Sequence, residues 1–363
     1  MIVHVCRTGW PATGGLESSV GGLARTQHAA GRQVRVVTLD RDAWGRELPP
    51  GPVDGVPYVR LPRVGPRRYP FARRLRAAVE GASVVHVHGL DGLADVLTHG
   101  RRSAPVGLST HGGYFHTPRH PLLKELCLRT LTRHTMRAAD AVWFTSESDR
   151  RRLRAAGVPG PVLPDGIDVD RFRRAVRAAR PGRWLVVGRV DRHKGLDDLI
   201  DALGELSKAD PRPFSLEVVG PEQQPGLVAA LGERAARLGI GDRVSFLGAL
   251  HGDALLDTLG RAELAVLPSR YEGFGIAAVE LMAARVPLVL SAIPAHLEHA
   301  ADGAHAVTAD FSDRAGAAAA LRRARDSDPS GRVEAAARWA DRFAWPARLA
   351  AWDDAYRTIG WQP

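Results

Sequence analysis

Two doubly wound α/β domains, one Rossmann-like sheet in each half of the chain, are the fold this sequence predicts. At 363 residues the chain exceeds one ordinary hydrophobic core and fits two domains of common size. Short apolar runs alternate with longer amphipathic stretches, as parallel strands joined by crossover helices require. Near the middle the alternation breaks at "LPDGIDVDRF" (163–172), where Pro164 and Gly166 punctuate and the polar, arginine-rich "RRAVRAARPGR" follows. The domains are therefore expected at residues 1–163 and 164–344.

In the first half the strands are read at "IVHVC", "QVRVVTLD", "VVHVHG", "VGLST", "AVWFTS" and "GPVLPD". In the second they fall at "RWLVVG", "FSLEVVG", "RVSFLG", "ELAVLPS", "VPLVLS" and "AHAVTAD". A last helix is predicted in "FAWPARLAAWDDAYRTIG": Pro346 suits a first turn, and Leu349, Trp352 and Tyr356 share one face. That face has two large aromatics to bury. Docking of residues 345–363 back onto the first domain is expected to satisfy it, with packing on the second domain as the alternative.

Composition removes several classes. Cys6 and Cys127 lie far apart, which excludes a disulfide framework and fits a reducing cytosol, and no zinc-type Cys/His spacing occurs. "MIVHVCRTGW" is too short an apolar stretch for a signal peptide, and no run approaches the roughly 18 apolar residues of a membrane span. A cytoplasmic location is expected. The net charge of +10 is uneven: residues 1–163 hold 24 Arg/Lys against 12 Asp/Glu, the remainder 26 against 28. Such an excess suits an anionic membrane surface, nucleic acid or a phosphorylated substrate. Arginine-rich coding bias accounts for it as well, and "RRYPFARRLR" also reads as a solvated helix face.

Only Lys124, Lys194 and Lys208 interrupt a basic complement of 50 residues. Lys194 follows a strand and the turn at Gly188, with Arg189 five residues before it, so two cations could converge on one anion at a strand's carboxyl end. About 80 residues on, a strand runs into Glu272, Gly273, Phe274 and Gly275, and a helix starts near Ile276. Glycines flanking Phe274 allow close backbone approach, and the helix start offers free N–H groups to a phosphate. Glu280 sits about one turn into that helix, where a carboxylate beside an anion site suits hydroxyl donors such as a ribose diol. Arg189, Lys194, Glu272, Gly273, Phe274, Gly275 and Glu280 together describe a site for a nucleoside diphosphate joined to a hydroxyl-rich group.

This pattern resembles the retaining GT-B glycosyltransferases of family 4, with E-x7-E at Glu272 and Glu280 and R-x4-K at Arg189 and Lys194. The resemblance extends to "GGLE" (14–17), "THGGYFHT" (110–117), "PDGID" (164–168) and "FLG" (246–248). Two departures stand out: Arg285 where glycine usually ends the Glu280 helix, and Asp165 where the linker usually has asparagine. Neither falls among the proposed diphosphate contacts. The resemblance implies two Rossmann-like domains facing across a cleft, a last helix crossing back, and a nucleotide-sugar donor, GDP- or UDP-linked. It implies no separate cofactor and no metal. Gly14 and Gly15 would bring N–H groups to donor phosphate or acceptor, and His111 would contact the transferred sugar.

The implied reaction moves a hexosyl group to an acceptor hydroxyl with retention, fixed cations stabilising the departing diphosphate. The D-x-D strings "DRD" (40–42) and "DVD" (168–170) read as structural, the second as a helix cap. His86, His88 and His116 read as structural histidines. Wording around Glu272 and His111 is closest to mannosyltransferases that use GDP-mannose on diphosphoprenyl-linked oligosaccharides in exopolysaccharide assembly, which implies a peripheral position on the inner face of the plasma membrane. The alternatives are a UDP-sugar enzyme with a soluble acceptor such as an aminocyclitol, and a sugar-nucleotide 2-epimerase. A phosphorylase lacks a spare pyridoxal lysine, and a nucleic-acid binder lacks any recognisable module.

Overall fold

The structure, a computed structural model, describes residues 1–9, 14–42, 45–66, 69–112 and 125–362. The chain divides into two compact units, residues 1–167 with 345–363, and residues 168–344. In the first, the strands are β1 (Ile2–Cys6), β2 (Val34–Leu39), β3 (Tyr58–Leu61), β4 (Arg63–Val64), β5 (Phe71–Ala72), β6 (Val84–His88), β7 (Val106–Ser109) and β8 (Ala141–Trp143). In the second they are β9 (Arg183–Val187), β10 (Ser215–Val219), β11 (Val244–Gly248), β12 (Leu264–Leu267), β13 (Leu288–Ser291) and β14 (Val307–Ala309).

Each unit carries a six-stranded parallel sheet, ordered β3-β2-β1-β6-β7-β8 and β11-β10-β9-β12-β13-β14. Strand order therefore reverses between β1 and β6 and between β9 and β12. At such a point consecutive crossovers leave in opposite directions and open a crevice at the strands' carboxyl ends. In the second unit, Leu199 and Leu203, Leu231 and Leu321 come from three helices, Leu196–Ala209, Leu227–Arg237 and Arg314–Asp326, and are buried with Val186, Val218, Val266 and Val289 of the sheet.

One expected strand is reduced to a bridge and one unexpected strand is added. "GPVLPD" contributes only an isolated bridge, Phe144 to Val162, because Pro161 and Pro164 cannot donate to a ladder. The edge strand β3 was not expected, since Pro57, Arg60 and Pro62 hide its apolar pattern. "RRYPFARRLR" is not one helix face: its described part holds β5, paired antiparallel with β4, then a turn with Arg74 in the left-handed region, φ 62°, before the short helix Leu75–Ala78.

The boundary between units falls at 167/168 rather than 163/164. Contacts hold residues 162–167 to the first unit. Leu163 N–H donates to Phe144 O at 2.8 Å, Ser19 Oγ–H donates to Asp165 Oδ1 at 2.5 Å, and Gly166 lies under Trp345. A Cβ on Gly166 would come within 2.4 Å of the indole and one on Gly22 within 2.2 Å, so Trp345 fits only between two glycines. From there the helix Trp345–Arg357 packs in the first unit, burying Trp352 and Tyr356 with Ile2, Leu23, Val84 and Trp143.

Arg285 follows the helix Ile276–Ala283 with φ 56°, the left-handed conformation that glycine adopts without strain. Its side chain compensates in part by donating to Glu334 Oε1 at 3.1 Å. Arg285→Gly is expected to raise stability by about 1 kcal/mol, or 2–4 °C in the melting temperature of the second unit, measured by calorimetry. A melting temperature that falls would mean that the exposed ion pair outweighs the strain.

Candidate active site

β9 and β12 deliver the second-unit groups to neighbouring strand ends. After β9, Gly188 turns with φ 150°, and Arg189, half-buried, makes no side-chain hydrogen bond among the described residues. The chain then enters the turn Arg192–Lys194, where Asp191 accepts from His193 N–H at 3.3 Å. Gly195 closes it with φ 64° because a Cβ there would meet Pro268 O at 2.3 Å. The aliphatic part of Lys194 passes over Gly188, within 3.6 Å of where a Cβ would stand.

After β12, Ser269 and Glu272 come under that lysine. Lys194 Nζ donates to Glu272 Oε1 at 2.6 Å, and Ser269 Oγ–H donates to the same oxygen at 2.7 Å. Both side chains of the ion pair are 16% exposed. Burial pushes the Glu272 carboxyl up, but Lys194, then His296, and the hydrogen bonds from Lys194 and Ser269 outweigh it and hold it at about 2.

Phe274 turns inward between Gly273 and Gly275, packing edge-on against His299 and Phe343 with ring centroids at 4.9 and 5.2 Å. His299 Nε2–H donates to Phe274 O at 2.7 Å, and its Nδ1 accepts from Trp339 Nε1–H at 3.2 Å. Those bonds fix the loop's backbone. Gly275, φ 90°, then starts the helix Ile276–Ala283, whose first turn has no side-chain cap; Ala278 N–H donates to Gly275 O, and the N–H groups of Ile276 and Ala277 stay available. A Cβ at Gly275 would only touch His296, at 3.4 Å, so it is the φ of 90° that favours glycine there.

The Glu280 side chain makes no hydrogen bond among the described residues. Burial raises its carboxyl to about 7, partly offset by Arg171 and Lys194. One fold thus sets two carboxylates far apart: Glu272 is firmly ionised beside its cation, and Glu280 changes charge near neutrality.

The first-unit residues form a separate set. Gly14 and Gly15 lie at the start of the helix Gly15–Ala29, with Gly14 in extended backbone. His111 follows β7 in the left-handed region, φ 45°, and its side chain is only 9% exposed. His111 Nε2 lies 3.0 Å from His88 Nδ1, and His111 Nδ1 lies 3.5 Å from Asp165 Oδ2. Asp165, set aside as a turn departure, therefore faces His111 directly. Beyond Gly112 the "THGGYFHT" segment, including His116, lies outside the described residues.

Other assignments resolve locally. Asp168 caps the helix Val169–Arg173 by accepting from Arg171 N–H at 3.1 Å, and Asp42 accepts from Arg46 N–H and Nε–H at 2.9 Å each. His4, His86 and His88 stand close enough to share a metal. Both nitrogens of His86 are taken, however, by Tyr356 Oη at 2.8 Å and Ser109 Oγ at 2.7 Å, and its ring lies against that of His88 at 3.8 Å. These are hydrogen-bonded core histidines. Sequence reasoning missed Ser269, Arg171, His296 and His299, ordinary residues that only packing brings to the site. The alternating histidines of "VVHVHG" and the unusual Asp165 were the signals available for the first unit.

Paired parallel sheets with switch points, two cations at one strand end and a capless helix start beside two carboxylates define a GT-B glycosyltransferase. Residues 13–171 match the family described as "Glycosyltransferase Family 4" and residues 169–342 that described as "Glycosyl transferases group 1". The chain belongs to glycosyltransferase family 4. It is 34% identical over 371 residues to a GDP-mannose:cellobiosyl-diphosphopolyprenol alpha-mannosyltransferase of Xanthomonas oryzae pv. oryzae, covering 98% of this chain and 96% of the relative. The enzyme of that description from Komagataeibacter xylinus is 34% identical over 300 residues, covering 80% of this chain and 75% of that one. Sucrose-phosphate synthase from Thermosynechococcus elongatus shares the fold at TM-score 0.81 and 23% identity, covering 99% and 98% of the two chains. Anabaena HepE, solved with UDP-glucose, shares it at 0.79 and 17%, covering 99% of each.

The carboxylates yield opposite pH signatures. Glu280 binds its proton more tightly folded than unfolded, so wild-type stability falls as pH rises from about 4.5 to about 7. Glu280→Gln should therefore melt higher than wild type at pH 8, by up to about 3 kcal/mol, and the advantage should vanish below pH 5. Glu272 is the reverse: its pairing stabilises above about 4.5 and is lost as pH falls toward 2. Lys194→Ala strands that carboxylate at neutral pH and should cost about 1–3 kcal/mol, largely recovered by adding Glu272→Gln. Equal melting curves for Lys194→Ala and wild type would remove the pair from the stability account.

Proposed function

We propose that this enzyme transfers mannose from GDP-mannose, with retention, to a hydroxyl of a lipid-diphosphate-linked oligosaccharide. The observation that carries this reading is the similarity over 98% of the chain to enzymes described by that donor and acceptor. The donor geometry supports it. Arg189 and Lys194 meet the diphosphate, joined by the N–H groups at the start of helix Ile276–Ala283. Glu280, with no partner of its own, accepts from the ribose hydroxyls, and Glu272 accepts from the sugar. As the anomeric bond breaks, charge gathers on the diphosphate, and cations already in place stabilise it without reorganising. A compact ammonium that also pairs with Glu272 fits there better than a planar guanidinium. An α-mannoside made from an α-linked donor corresponds to retention. His111 is assigned to the transferred sugar.

The test is incubation with GDP-mannose and a cellobiosyl-diphosphopolyprenol acceptor, with the product read by mass spectrometry and its anomeric configuration by NMR. Transfer should persist in EDTA and fall by about a thousandfold in Lys194→Ala, the size of loss seen when a transition-state charge contact is removed. Transfer from a UDP-sugar to a soluble acceptor, or epimerisation of UDP-GlcNAc without acceptor, would replace this reading. A strict metal requirement would overturn the cation mechanism.

The basic excess of residues 1–163 fits peripheral docking on an anionic leaflet, where each cation contributes about 1 kcal/mol. Arg73 and Arg74 are exposed, and so are Leu126 at 59% and Leu131 at 44%, the latter pair beside exposed Arg129. No helix among the described residues is long and apolar enough to cross a membrane. Arg76 is unsuited to the test because it donates to Val96 O and His99 O. Co-sedimentation with anionic vesicles should fall steeply with salt and weaken in Arg73→Glu/Arg74→Glu. Indifference to such vesicles at low salt would leave the arginines to coding bias.

A further inference from the structure

A buried file of hydrogen-bonding side chains runs through the first unit from Gln27 to Ser19. Gln27 Nε2–H donates to Tyr356 Oη at 3.3 Å, and Gln27 Oε1 lies 2.7 Å from His4 Nε2. His4 Nδ1 lies 3.0 Å from His88 Nε2, and His88 Nδ1 lies 3.0 Å from His111 Nε2. At the far end His111 Nδ1 faces Asp165 Oδ2 at 3.5 Å, and Ser19 Oγ–H donates to Asp165 Oδ1 at 2.5 Å.

The polarity of this file follows from its first member. An amide oxygen only accepts, so His4 must present N–H at Nε2. Burial holds His4 at about 4 and His88 well below its usual range, so each is neutral and carries one N–H. His4 Nδ1 therefore accepts, and His88 donates from Nε2. That leaves His88 Nδ1 to accept, and His111 to donate from Nε2.

At Nδ1 the partner decides. Asp165 is buried and has no Lys or Arg within ion-pair distance among the described residues. A buried carboxylate without a cation is costly, and a bare nitrogen lone pair facing it is repulsive. A second N–H on His111 removes both penalties. The other titratable groups near His111 among the described residues are His86 and His88 on β6 and Asp149 on the helix Glu147–Arg152. Burial raises the Asp149 carboxyl, and its Oδ2 accepts from the hydroxyls of Thr110 and Thr145. Asp165 is the carboxylate within ion-pair distance of the ring.

We propose that Gln27, His4 and His88 are positioning residues that hold His111 as an N–H donor at both nitrogens, an imidazolium paired with Asp165. His111 then has no lone pair with which to take a proton from the acceptor. At the reacting sugar it acts as a fixed positive charge. The catalytic consequence rests on the role proposed for His111 above; the protonation pattern does not.

Ring-nitrogen NMR spectra of the ¹⁵N-histidine-labelled full chain at pH 7 test it, with His111→Ala assigning the signals. Both nitrogens of His111 should be protonated, and His4 and His88 only at Nε2. In Asp165→Asn, isosteric but unable to pair with a cation, His111 should lose its Nδ1 proton. Turnover should fall about tenfold with donor KM within about twofold. Gln27→Met and Gln27→Leu remove the acceptor against His4 and should give mixed tautomers. A neutral His111 in wild type, Nδ1-protonated His4 and His88, or an unchanged Asp165→Asn spectrum overturns the proposal. Should the Gln27 variants fail to fold, the wild-type and Asp165→Asn spectra decide. If His111→Ala leaves turnover intact, the catalytic role of His111 falls while the spectra still judge the file.

Discussion

Parallel pairing of β9 with β12 is the contact on which the second unit's chemistry depends. It sets Leu264 beside Trp184 and Ala265 beside Leu185, although about 80 residues separate the strands. Once they are neighbours, the turns beyond their carboxyl ends must share one crevice, because the chain leaves β9 and β12 toward opposite edges of the sheet. Lys194 and Glu272 meet for that reason. Gly195 then removes the Cβ that would hold the turn after β9 away from Pro268 at the end of β12.

Within that crevice the electrostatics follow from which carboxylate has a partner. Glu272, in the loop after β12, and Glu280, in the helix that follows, are both largely enclosed, yet one is held near 2 and the other near 7. Enclosure pushes both upward. The difference comes from an ammonium at 2.6 Å and a serine hydroxyl at one carboxylate, and from no donor at the other. A group left unpartnered in this way is suited to ligand hydroxyls, whereas the paired one keeps its charge and its lysine in register.

The first unit places its polar groups in the core rather than at a strand end. Histidines on β1 and β6 point into the interior at the switch between those strands, and Tyr356 of the last helix completes their bonding through Gln27 and His86. Trp345 locks that helix in place between Gly22 and Gly166. The aromatic cluster of the C-terminal segment and the histidine file around His111 are therefore parts of one packed interior.

Much of this was legible in the sequence. Alternation of apolar runs determined two doubly wound sheets, and the punctuation around Arg189, Lys194, Glu272 and Glu280 marked the strand ends and the helix start that the structure brings together, because strand ends and helix starts carry recognisable residues. The Leu349, Trp352 and Tyr356 face announced a helix that had to dock. The family resemblance assigned that helix to the first unit, where it packs; tertiary structure alone shows how, since two glycines far apart in sequence make the slot for Trp345. It also decided that Lys194 pairs with Glu272, that Arg285 occupies a left-handed position, and that Asp165 faces His111. Charges, tautomers and partners depend on distances between residues remote in sequence and on the water excluded around them. Periodicity records neither.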